Sequence, residues 1–349
     1  MVPAVLGGVL LGGSLAATPT ASAWPNQQCP VGGDTVVVSP GISSDALRGT
    51  LNKLSQGDVL YLAPGTYDVG ALAVYACRAS AAHPITVTAL DPANPPLLKG
   101  KVYFNSPDHW RISHVRIMAT VPGGPGLQMA GGDGWVIDSV EVFGANRTGA
   151  FANLAINTRG GRGPSGFTVT NSCIHDAAPA KKSVAFHNIY VTTSGGSTVQ
   201  GVISRNVIYG HPGGAGIKLG VGGQASAVGP WNVTVERNTI VGGQFGVVFS
   251  GRVGRNVVAG NLMGKFTRLP GFGYQGKKSA AIYSHHVAGK GNRVENNYFF
   301  KSDLILRRIG RSGVKVTKAN QKGPAPRFSG QSCSTWQPAG RAAGYGRYS

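Results

Sequence analysis

The chain has 349 residues, 54 of them glycine and 21 proline, with 13% charged residues and a mean hydropathy of −0.01. It can bury a large core, and this balance excludes a solvated disordered chain and a collagen repeat. Thirty-three Lys and Arg against thirteen Asp and Glu give a net charge of +20, which favours polyanionic partners, while no nucleic-acid recognition motif accompanies the charge.

In chain order, residues 1–23 carry no charge, include an apolar run through Leu11 and end in Ala21, Ser22 and Ala23. That is the small-residue pattern of a cleaved secretory signal, so a secreted protein starting at Trp24 is expected, with no membrane span after cleavage. An uncleaved anchor is the alternative. Export fits the four cysteines, which are too widely spaced for a zinc ribbon and would oxidise outside the cell. Three pairings are possible. The pairing Cys29 with Cys77 and Cys173 with Cys333 is favoured, the first closing the N-terminal region and the second tying the tail to the body.

Residues 24–56 read as an N-terminal cap region, and a repeat follows from 57 to 300. Seven segments share an apolar residue at positions one and six: ISHVRI at Ile112, IDSVEV at Ile137, VTNSCI at Val169, ISRNVI at Ile203, VERNTI at Val235, VAGNLM at Val258 and VENNYF at Val294. The last four place Asn206, Asn238, Asn261 and Asn297 at position four, where one amide can bond the next in an inward ladder. A second column lies ahead of the first in each unit, in the short alternating stretches at Leu127, Leu154, Ile189, Ile217, Val247 and Ile282. Short strands in fixed order, none able to bury its apolar face alone, describe a parallel β-solenoid. A propeller would need longer, more regular blades.

Alternation along the second column sends Ile217 and Leu219 inward and Lys218 to solvent. The same outward row holds Gln128, Ala155, Tyr190, Val248 and Tyr283, and the row two residues on holds Ala130, Asn157, Thr192, Gly220, Ser250 and His285. His187 and His211 precede the Tyr190 and Lys218 strands. An insertion from Gly264 to Lys278 mixes aromatics with Arg268, Lys277 and Lys278 and is long enough to overhang the face. Arg205 and Arg237 occupy equivalent positions on adjacent coils, which suits a second anion site or a structural pair bridged by Glu236. From Lys301 onward ten basic residues meet one acid, Asp303, giving a basic C-terminal tail or cap over 301–349.

The repeated V-x-x-N-x-I units, with GDVLYLAPGTYDVG from Gly57 to Gly70, resemble the right-handed parallel β-helices of the pectate-lyase-like superfamily. The likeness is to secreted polysaccharide lyases of the chondroitinase B and alginate lyase type. The resemblance implies an all-β, single-stranded right-handed β-helix binding an acidic polysaccharide along an outer face. Lys218, Tyr190, Tyr283 and His285 would then be candidates for β-elimination, in which a base takes the proton α to a carboxylate and an acid protonates the leaving oxygen. His187, His211, Arg205, Arg237, Arg268, Lys277 and Lys278 are candidate substrate contacts. The residues themselves give no metal site and no cofactor, and calcium enters through the resemblance alone; a monomer is expected. Two other readings stay open: a non-catalytic extracellular module that binds polyanions or carbohydrate, and a glycoside hydrolase, whose carboxylate pair is missing from the outward rows.

Overall fold

A computed structural model describes residues 28–75, 77–121, 123–145, 152–160, 162–177, 186–192, 200–221, 228–267, 279–285, 289–308, 313–328, 332–333 and 344–346. Every pairing between the named strands is parallel, and each coil contributes three short strands rather than the two columns read from the sequence. Sheet A has 11 strands, from Thr35–Val38 to Val314–Val316. Sheets B and C join into one 17-stranded sheet through two long strands, Thr66–Val74 and Leu97–Asn105, that turn the corner between them. In the second of these, Leu97 to Gly100 pair in sheet B with Arg116 to Ala119, and Val102 to Asn105 pair in sheet C with Leu127 to Ala130. The protein is a parallel β-helix.

The V-x-x-N-x-I unit is a corner, not a strand. In VERNTI, Val235 and Glu236 end a sheet A strand, Arg237 takes φ 51°, and Thr239 and Ile240 open a sheet B strand. The third position of all seven units has positive φ, as at His114, Ser139, Asn171, Arg205, Gly260 and Asn296. This left-handed residue turns the chain inward, and the next residue reaches the coil above. Asn238 Nδ2 donates to Asn261 Oδ1 at 3.0 Å and to the Ile203 carbonyl at 2.8 Å, while its backbone N–H donates to Asn261 Oδ1 at 2.9 Å. The ladder runs Asn206, Asn238, Asn261, Asn297 and extends to Asn320. Buried corners that leave the sheets thus keep their backbone groups paired.

Inside, stacked apolar rows such as Leu127, Leu154, Ile189, Ile217, Val247 and Ile282 fill the core. The helix Ser44–Asn52 starts at Ser43, whose Oγ accepts from the Ala46 N–H at 3.1 Å, and buries Leu47 and Leu51 in that core. Strand pairing continues past the expected boundary at residue 300, through Asp303–Arg308, Val314–Val316 and Gln321–Lys322, and begins before residue 57 at Thr35–Val38. Both favoured disulfides are present, Cys29–Cys77 and Cys173–Cys333. The second has a structural consequence: beyond Lys322 the chain turns back along the outside of sheet B, where Phe328 packs on Phe300 and, with Cys333, on Val207, Tyr209 and Val241. Phe328 and Cys333 thus strap this stretch to sheet B.

Candidate functional site

Close coil stacking sets the Lys218 strand, Ala215–Gly220. A Cβ on Gly214 would sit 1.2 Å from the Phe186 carbonyl oxygen, and one on Gly220, at φ 141°, would sit 2.0 Å from that of Ser250. Gly214 and Gly220 therefore let three coils approach at strand spacing. The register is the expected one: Gln128, Ala155, Tyr190, Lys218, Val248 and Tyr283 stand in line on the outer face of sheet C.

Burial corrects the expectation of a solvent-facing lysine, since Lys218 is 7% exposed. Its Nζ lies 4.6 Å from the centre of the Tyr190 ring, a cation–π contact in a largely desolvated setting. His187, 2% exposed, tilts against Tyr190 with ring centres 5.3 Å apart. The Ala215 N–H donates to its Nδ1 at 3.1 Å. Burial, then the nearby Lys218 charge and His211, push the His187 imidazole well below its ordinary value. It is therefore neutral at pH 7, with its proton on Nε2. His187, Tyr190 and Lys218 are thus brought together.

Tyr283 and His285 form a separate group two coils on. Tyr283 stacks on Phe245 at 4.3 Å within an apolar cluster that includes Val248, and His285 stacks on Tyr283 at 5.4 Å. His211 lies inside the wall, not on it. Its Nδ1 accepts from Asn188 Nδ2 at 3.2 Å, its Nε2–H donates to the Phe245 carbonyl at 3.1 Å, and Asn153 Nδ2 donates to Asn188 Oδ1 at 2.8 Å. Burial pushes His211 down to about 4, so it serves as a neutral end to a second polar ladder at the B–C corner.

Arg205 and Arg237 are exposed at the A–B corner, away from sheet C, each in the left-handed conformation. Among the described residues Glu236 forms no ion pair with either. Arg268, Lys277 and Lys278 lie outside the described residues. Glu236 and Glu295 stand two coils apart on sheet A, as the repeat implied. Calcium takes six to eight oxygen ligands, roughly, carboxylates foremost. Among the described residues, Cys173, His175 and Cys333 alone bring three His, Cys, Asp or Glu ligand atoms within 4.8 Å of one another, and their two cysteines are bonded to each other. The described residues beside Lys218 do not fit a calcium site.

Sequence reasoning missed two features. On the outer face of sheet B, His175 bridges Glu141 at 3.0 Å and Asp176 at 2.9 Å, while Arg116 also contacts Glu141. The His175 ring is sandwiched between Phe143 and Tyr209, with centres 5.2 and 4.7 Å away. At the N-terminal end of sheet C, a cavity of about 360 Å³ is lined by Tyr75, Lys101, Tyr103, Gln128, Asn157 and Arg159, among others. The alternation in KVYFN from Lys101 is a legible signal, but it precedes the recurrent asparagines.

No family model and no curated protein matches the sequence. Among solved structures, pectate lyase Pel9A superposes with a TM-score of 0.50 at 14% identity, covering 92% of this chain and 89% of that one. An alginate lyase from Paenibacillus sp. str. FPU-7 gives 0.49 at 14% identity, with 78% and 97% covered. The chain has the pectate-lyase-like parallel β-helix fold. At 14% identity the likeness speaks to the fold alone.

Proposed function

We propose that this β-helix is a secreted polysaccharide lyase that cleaves a uronate-containing glycan by β-elimination. The observation that carries the reading is the Lys218, Tyr190 and His187 cluster on the outer face of sheet C, with the Lys218 ammonium 4.6 Å from the Tyr190 ring centre. In its free-amine form Lys218 takes the proton α to the uronate carboxylate. The electron pair left behind forms the C=C bond as the C–O bond breaks, and the Tyr190 phenol gives its proton to the departing oxygen. The His187 Nε2–H is a donor for the negative charge that grows on the carboxylate during proton removal. A body with excess positive charge draws the polyanion to the face. Two disulfides and the absence, among the described residues, of any helix able to cross a membrane accord with secretion.

One observation favours a second reading, a non-catalytic module that holds acidic glycans: at 7% exposure Lys218 offers little of its surface to a glycan. The test is incubation with alginate, pectate and glycosaminoglycans, following the absorbance of the unsaturated product. Elimination of at least one acidic glycan supports the lyase. Binding without turnover, weakening steeply with salt, supports the module. A hydrolase reading has no carboxylate pair on the outer rows of sheet C, where Asp303 is the one acid on the described strands from Leu127 onward.

A further inference from the structure

We infer that the cavity at the N-terminal end of sheet C is a subsite for a uronate residue of the glycan. The inference deepens the reading of sheet C as a glycan-binding face. Its lining holds two cations, two tyrosines and two amides, and no acid. Lys101 and Arg159 form no ion pair among the described residues, so both charges remain for a ligand. Gly124 makes room for the lysine: a Cβ there would lie 2.4 Å from Lys101 Nζ.

Tyr75 and Tyr103 meet edge to face with ring centres 6.1 Å apart, which offers an apolar ring face to the C–H side of a pyranose. Gln128 Nε2 donates to Asn157 Oδ1 at 3.1 Å and Asn157 Nδ2 to the Thr158 carbonyl at 3.3 Å. Both amides are thereby oriented, and the Gln128 carbonyl is left as an acceptor for sugar hydroxyls. An apolar ring face, two cations and fixed amides suit a carboxylated sugar better than a neutral one.

The cavity also has a place in the register. Tyr103, Gln128, Ala155, Tyr190 and Lys218 are consecutive in one outer row. Four strand spacings, roughly 19 Å, therefore separate the Tyr103 position from Lys218. A long oligouronide can engage both ends, and a disaccharide cannot.

The test is calorimetric titration of a hexameric oligogalacturonide and an oligomannuronide into the Lys218→Ala protein, which prevents turnover, with and without Arg159→Ala or Lys101→Ala. Arg159 is exposed, so its truncation leaves the fold intact. The expected result is a loss of about tenfold or more in affinity for at least one hexamer with each pocket variant. A matched neutral hexasaccharide should bind weakly and with no difference between variants. Pocket variants that bind as tightly as their parent, equal losses for the neutral sugar, or no uronide binding by the parent each overturn the subsite. If the wild-type protein eliminates nothing but the pocket variants lose uronide binding, the lyase reading fails and the subsite stands.

Discussion

Lys218→Arg and Lys218→Met separate the roles a buried lysine can play. In the wild-type protein the ammonium contacts the Tyr190 ring at 4.6 Å, in a setting where a cation–π contact contributes about 2 kcal/mol. Against this stands the desolvation of a charge that is 7% exposed, a cost of at least similar size. Methionine keeps the apolar stem beside Val248 and removes the charge, so stability should change by less than about 2 kcal/mol in either direction. Alanine removes the stem as well and should cost about 1–3 kcal/mol, because the site is buried. Loss of a general base should lower turnover by about 10² or more in every variant, including arginine, whose guanidinium stays protonated at working pH. Turnover is read by product absorbance and stability by denaturant titration. An active Lys218→Arg enzyme would refute the base assignment and leave an electrostatic role. A Lys218→Met protein destabilised by more than about 3 kcal/mol would refute the balance argued here and make the charge part of the fold.

Asn261→Ala should destabilise the β-helix by about 2–4 kcal/mol in denaturant titrations, because it orphans the buried Asn238 N–H and removes the hydrogen bond from Asn261 Nδ2 to Asn297 Oδ1; a loss below about 1 kcal/mol would refute the ladder's energetic role. The His175 cluster should give stability an optimum in mild acid. Burial alone would lower His175, but its bonds to Asp176 and Glu141 raise it above 6.5, so its contribution is complete below that value and is lost as pH rises through the folded-state value. Burial alone would raise Glu141, but His175 and Arg116 hold it below 4.5, so its contribution is present above that value and fades as pH falls through the folded-state value. Thermal midpoints of wild type and His175→Gln across pH 4 to 9 should converge at the alkaline end, and a constant gap would refute the assignment. Replacing Cys173 and Cys333 together by Ser should free the strap from sheet B, at about 2–5 kcal/mol, and speed tryptic cleavage after Arg327; unchanged cleavage would mean that Phe328 packing alone holds it.

The pattern of what the sequence revealed follows from how a solenoid is built. Rows that stack on themselves leave a periodic trace, so the inward Leu127 to Ile282 row and the outward Tyr190 to Tyr283 row are both legible in the sequence. Sheet B was hidden because most of its strands span three or four residues, too few for alternation to register, and because each unit of the repeat straddles a corner. The left-handed third residue was the missed clue: Arg205, Arg237 and Asn296 share a backbone requirement. His211 misled for a related reason, since an imidazole with one donor and one acceptor can take a ladder position otherwise filled by an amide, and only the contacts to Asn188 and Phe245 reveal it. Burial on the outer face had no periodic trace at all. Alternation says which way Lys218 points, but it does not say what packs against the side chain. The same holds for the Lys101 and Arg159 cavity: its residues come from separate coils, and the repeat gives their spacing without giving their company.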